Sequence, residues 1–112
     1  MVMLFQGQLS GTASAIVTVG VTEKIQAKTF LLYNNDSADI DVFFHFVPNA
    51  SGALGTANNT NRVSLTVPTG KTVEFSPSYP VEYDSENDAI FASAATASMI
   101  NCFVMGLRID LS

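Results

Sequence analysis

The sequence predicts an all-β chain, an antiparallel β-sandwich of about eight strands, immunoglobulin-like or jelly-roll-like. Two observations carry this. Short runs of β-branched and aromatic residues recur at regular spacing along the 112 residues, the pattern of a sandwich. Clusters of Asn, Asp, Gly, Pro and Ser separate them as turns, and helix signals are nearly absent. This length suits one domain, residues 1–112.

The first run, Val2 to Leu9, is weakened by Gly7 and broken at Ser10-Gly11-Thr12. These residues give 1–12 the flexibility of an extended N-terminal arm, with Met3 and Phe5 reaching a neighbour as an added strand. Packing of the same segment on its own sandwich is the alternative. Ala15 to Val19 reads as a β-branched strand, Thr22 to Gln26 as a polar turn, and Ala27 to Tyr33 as a buried strand. Asn34-Asn35-Asp36-Ser37 supplies turn residues that tolerate left-handed backbone.

Asp39 to Val47 is the most apolar strand, ended by Pro48. Ile40, Val42, Phe44 and Phe46 alternate onto one side, and Asp41, Phe43, His45 and Val47 onto the other. An antiparallel sheet with one wet face reads hydrophobic-in and polar-out. Here the outer side also carries Phe43, His45 and Val47, so a cover is expected, from this chain or from another. These three are candidate interface residues.

Asn49 to Asn61 is the longest loop, expected on the surface. Val63, Leu65 and Val67 alternate with polar residues, as do Val73 and Phe75, and Pro68-Thr69-Gly70-Lys71 lies between them. This reads as a one-sided hairpin. Ser76 to Pro80 contains two prolines and crosses between sheets. Val81 to Asp88 is an acidic turn. Ala89 to Ala94 reads as strand rather than helix, and Met99 to Leu111 is the last strand. That strand also has two apolar sides, with Phe103, Met105, Leu107 and Ile109 on one and Ile100, Cys102 and Val104 on the other.

Composition narrows the function. Charged residues make up 13% and apolar ones 47%, so disorder is not expected across most of the chain. Five Lys+Arg face ten Asp+Glu, for a net charge of -5. This argues against a nucleic-acid phosphate grip and against an anionic membrane surface. The apolar N-terminus has no basic segment, so a secretory signal is not expected. No apolar stretch has the length to cross a bilayer as a helix.

No constellation carries catalysis, and no cofactor is expected. His45 is the single histidine and has no nearby metal or nucleophile motif. Cys102, the single cysteine, lies in an apolar run and reads as a small buried hydrophobe. Glu82, Asp84, Glu86 and Asp88 alternate and are weak calcium candidates, but the EF-hand pattern fails. Counting from Asp84, Ala89 stands at the glycine position and Ala95 at the bidentate glutamate. Asp36, Asp39 and Asp41 are a weaker set of the same kind. Tyr33, Tyr79 and Tyr83 suggest a sugar platform, a reading lowered by the absence of Trp. Sequons at Asn35, Asn49 and Asn58 are expected by chance in a chain so rich in Asn, Ser and Thr.

Several segments together resemble small all-β structural proteins of tailed bacteriophages. They are Phe30-Leu-Leu-Tyr-Asn-Asn-Asp36, Val42-Phe-Phe-His-Phe-Val-Pro-Asn-Ala-Ser-Gly52, Val67-Pro-Thr-Gly-Lys-Thr-Val-Glu-Phe75, Glu86-Asn-Asp-Ala-Ile-Phe-Ala-Ser-Ala94 and Asn101-Cys-Phe-Val-Met-Gly106. The resemblance covers about Ala27 to Ile109. It implies a virion subunit, either a capsid decoration (cement) protein on the exterior or a tail, adaptor or fibre component. It also implies partners: copies of the chain, with a trimer favoured, and the major capsid protein or another virion subunit. Made in the host cytoplasm, such a protein resides in the virion. The few Lys and Arg favour an outer position, away from packaged DNA. A carbohydrate- or receptor-binding module is the alternative outside that class.

Overall fold

Alternation of apolar and polar residues builds the sandwich. The computed structural model describes residues 2–47, 62–77, 81–83 and 88–111. Among them the chain forms nine strands and no helix: β1 (Val2–Gln8), β2 (Ser14–Thr18), β3 (Glu23–Asn34), β4 (Ile40–Val47), β5 (Arg62–Val67), β6 (Thr72–Phe75), β7 (Val81–Tyr83), β8 (Ala89–Ala94) and β9 (Ile100–Asp110). One sheet runs β1-β9-β3-β6, with β7 also paired to β3, and the other runs β2-β8-β4-β5. All pairings are antiparallel.

The topology is one long hairpin rolled up. Val2 pairs with Gly106, Ser14 with Ala92, Phe30 with Phe75 and Ile40 with Val67. Partner numbers fall as their counterparts rise, so the chain runs out to the end of β4 and returns from β5 beside itself. Rolling this ribbon brings β9 against β3 and β8 against β4. The result is a jelly roll, the second of the two sandwich types that the sequence predicts.

Leu32, Phe30, Ile25 and Val104 from one sheet meet Phe44, Val42, Ile40 and Ile90 from the other in a single buried cluster. Aromatic rings join the layers. Phe30 lies 5.0 Å from Phe44, 5.5 Å from Phe75 and 6.2 Å from Phe46, centroid to centroid. Offset and edge contacts of this kind add to simple burial.

Four expectations change. The predicted hairpin from Val63 to Phe75 does not form, because β5 and β6 belong to different sheets. The Pro68–Lys71 turn is instead a corner between layers. Lys71 N–H closes it on Pro68 O at 3.1 Å, and Gly70 takes φ +66°. The one-sided pattern of both strands holds, since Val67 is buried and Thr66, Thr72 and Glu74 are exposed. Next, the polar stretch from Glu23 is not a turn. It is the first half of β3, paired to β9 and β7. The acidic turn begins as the short strand β7, held to β3 by pairs such as Gln26 with Glu82. Finally, the N-terminal arm lies on its own sandwich as edge strand β1. Leu9 N–H donates to Ile100 O at 3.0 Å and Ala94 N–H to Ser10 O at 2.9 Å. The expected hinge is therefore pinned to both sheets. The long loop expected at Asn49 to Asn61 lies outside the described residues.

Candidate interaction surface

The alternating register gives each strand an inner and an outer face. On the outer side of β4, Val47 and His45 are 0% and 5% exposed within a single chain. Val47 stands opposite Ala89, and His45 opposite Phe91. Val47, Ala89 and Phe91 form a second, small buried cluster. His45 and Val47 are therefore not accessible interface residues, and the cover that their pattern demands is met in the isolated chain. Phe43 is half-buried between Ser64 and Ser93.

The two N-terminal candidates separate. Phe5 pairs with Val104 and packs against the main core. A bulge between them turns Met3 outward beside Met105, 47% exposed.

A second outer face rich in apolar residues is that of the five-stranded sheet. Antiparallel partners stand on the same side, so the register lays this face out row by row. Gln8, Asn101, Tyr33 and Thr72 form one row, and Gln6, Phe103, Leu31 and Glu74 the next. Met3, Met105 and Thr29 follow, then Leu107, Gln26 and Glu82, then Ile109 and Lys24. Leu31, Phe103, Met105 and Leu107 are half-buried, and Tyr33 and Ile109 are exposed. The face thus has an apolar centre and a polar rim, the anatomy of a protein contact.

One ion pair orders the rim. Lys24 Nζ lies 3.0 Å from Glu82 Oε1, and Gln26 Nε2 donates to Glu82 Oε2 at 2.7 Å. The Lys24 hydrogen bond, then the Gln26 one, lowers the Glu82 pKa. On the opposite side, at the sheet end, Glu23 Oε1 accepts from Arg108 Nη1 and from Gly20 N–H, each at 2.8 Å.

The remaining candidates do not converge. Glu82 is exposed on β7 while Asp88 is buried at the start of β8, and Asp84 and Glu86 lie outside the described residues. No group of three metal-binding side chains gathers among the described residues. Asp39 Oδ1 accepts from Thr69 N–H at 3.0 Å and so ties the turn before β4 to the β5–β6 corner, whereas Asp41 Oδ1 accepts from Thr66 Oγ1 at 2.7 Å and so joins β4 to β5. Tyr33 faces outward, whereas Tyr83 packs on the core. Burial, then the charge of Asp88, pushes the Tyr83 hydroxyl up to about 12. Tyr33 and Tyr83 therefore make no shared sugar platform, and Tyr79 lies outside the described residues.

Cys102 is fully buried in the main core, and burial pushes its thiol up to about 12. Asn34, read from the sequence as a turn former, is also fully buried. Its Nδ2 donates to Val67 O at 2.8 Å and Ala38 O at 2.9 Å, and its Oδ1 accepts from Asp36 N–H at 2.7 Å. Its backbone bonds Lys71 O and Gly70 N–H. One side chain thus fastens the β3–β4 turn to the β5–β6 corner. An Asn just before a polar turn and after an apolar strand was the available signal.

No family model and no curated protein matches the chain. Among solved structures it is similar to a chain from Bacillus endospore appendages, described as a novel family of disulfide-linked pili. The identity is 18%, the TM-score 0.54, and the match covers 96% of this chain and 83% of that one. At that identity the likeness establishes a shared fold: this chain is an all-β sandwich of two packed antiparallel sheets.

Proposed function

We propose that this chain is a structural subunit of a supramolecular protein assembly, without enzymatic activity, held to its neighbours by the outer face of the five-stranded sheet. The observation that carries the reading is the outer stripe of Met3, exposed, with Leu31, Phe103, Met105 and Leu107, each only half-buried, beside a fully formed core. A contiguous apolar surface with a polar rim costs solubility in a free monomer, and burial in an assembly offsets that cost. The finer reading is a decoration protein on the capsid exterior of a tailed bacteriophage, in keeping with the sequence motifs and the acidic net charge. Its partners there are copies of itself and the major capsid protein.

A second reading, a subunit of a surface appendage, is favoured by the similarity to the pilus chain over 96% of the sequence. The buried Cys102 supports non-covalent contacts in either setting, since its thiol is not presented to another subunit.

The test is sedimentation of the purified chain alone and with empty phage capsids, with electron microscopy for filaments. Capsid binding that is lost in Leu107→Lys supports decoration. Filaments lost in the same variant support the appendage. A chain that does neither overturns the subunit reading.

A further inference from the structure

The two sides of the sandwich are built differently. No Asp, Glu, Lys or Arg occurs before Glu23, so β1 and β2 are both free of charge. Each is the edge strand of its sheet, and they neighbour one another across the sandwich. The opposite edges carry Arg62 at the head of β5, Glu74 on β6 and Glu82 on β7. There the edge of the five-stranded sheet is also split into two short strands, with Pro77 between them. Charges, prolines and interruptions are the usual protection of a sheet edge against pairing with another chain. One side of this molecule has that protection; on β1 only the bulge at Leu4 provides any.

Beyond the bulge, β1 keeps regular register from Phe5 to Leu9. Leu9 N–H donates to β9. In an antiparallel ladder the direction of the backbone groups alternates, so those of Gln8 and Gln6 face the open edge. Their side chains lie on the outer face, opposite Asn101 and Phe103.

We propose that the Phe5–Leu9 edge of β1 pairs antiparallel with the same segment of a second copy. The two five-stranded sheets then become one continuous sheet about a two-fold axis. The argument for a second copy is charge. With a net charge of -5, two copies meeting through acidic surfaces repel, whereas β1 and β2 carry no charged residue to do so. The pairing also extends the apolar outer face, because Met3 sits beside it. This deepens the subunit reading and rests on it. The shared ladder is short, so the isolated dimer is weak and strengthens as the faces become covered.

The test is the mass of the full chain across a concentration series, by sedimentation equilibrium. Gln6→Pro removes an N–H that points to the open edge and leaves the β1–β9 ladder intact, as edge strands allow. The wild type is expected to reach twice the monomer mass. Gln6→Pro is expected to raise the dimer dissociation constant about tenfold or more, with an unchanged circular dichroism spectrum. If Gln6→Pro fails to fold, the double variant Gln6→Lys and Gln8→Lys sets like charges across the two-fold and is expected to act in the same way. A dimer that survives in both variants overturns edge pairing while leaving the subunit reading standing. So does growth into open polymers without a dimer plateau. A wild type that stays monomeric at high concentration overturns edge pairing, and capsid binding or filament formation then judges the subunit reading separately.

Discussion

Asn34 is the most informative position to perturb. Its fully buried side chain makes three hydrogen bonds, two of them as donor to the carbonyls of Val67 and Ala38. Asn34→Leu keeps the approximate volume and removes all three. Each lost bond is worth about 1 kcal/mol, and the carbonyls left without donors add a desolvation penalty of about 1–3 kcal/mol. The expected cost is about 4–6 kcal/mol, a large share of a stability of about 5–15 kcal/mol. In urea, with a slope of about 2 kcal/mol/M, the midpoint falls by about 2–3 M. Asn34→Asp sharpens the test. The ionised carboxylate is acceptor-only and faces two carbonyls, so its folded-state pKa lies above the unfolded value. Stability is then greatest below the unfolded pKa and is lost as pH rises through the folded one. The variant is expected to gain on the wild type as pH falls from 7 toward 4. A Leu variant within about 0.5 kcal/mol of wild type, or an Asp variant whose pH dependence matches wild type, refutes the role of this side chain as the fastener of the corner.

Other consequences follow from single atoms. A Cβ at Gly106 meets Gln26 O at 1.8 Å, and that oxygen belongs to the backbone of β3. Gly106→Ala must therefore part the two longest strands, and a thermal melt is expected to show a loss of about 3 kcal/mol or more. At Gly70, where φ is +66° but space is open, alanine costs about 1 kcal/mol. Alkaline pH destabilises the fold, because Cys102 keeps its proton to about 12 in the native state and to about 9.0 otherwise. That stability is complete below pH 9 and falls through pH 12 by up to about 4 kcal/mol; urea midpoints in Cys102→Val are expected to fall less steeply. Glu23→Gln, at a partly exposed pair with Arg108, shifts stability by less than about 1 kcal/mol in the same assay.

Local physics made most of the strands legible. Period-two alternation placed the inner faces of β4, β5 and β6 correctly, because burial on one side of a pleat leaves that trace in the sequence, whereas β9, apolar on both sides, showed its two faces but not which one is inner. The partners of each strand were not legible. The Pro68–Lys71 turn has the residues of a hairpin, and nothing within a few residues distinguishes a hairpin from a corner. What decides is Asn34, more than 30 positions away, whose backbone and side chain capture both ends of the turn. The first half of β3 was hidden for a related reason. Lys24 and Gln26 are polar because they contact Glu82 on the outer rim, and Glu23 because it meets Arg108 on the opposite side at the end of the sheet, not because the chain turns there.

The candidate surface was half legible, and the reason lies in what covers each strand. β4 and β9 show the same surplus of apolar residues on the outer side, but Val47 is fully buried in the single chain while Leu107 is only half-buried. A hydrophobic outer face records that something covers it and does not record what. The two cases separate by substitution. Val47→Asp places a charge without solvent and is expected to unfold the isolated chain, at a cost of about 3–5 kcal/mol. Leu107→Asp puts the same charge where its carboxylate reaches water, so the fold stays within about 1 kcal/mol of wild type by urea denaturation while assembly is lost. Equal destabilisation by the two changes contradicts the assignment of the β9 face to a partner, because Leu107 then serves the monomer as Val47 does.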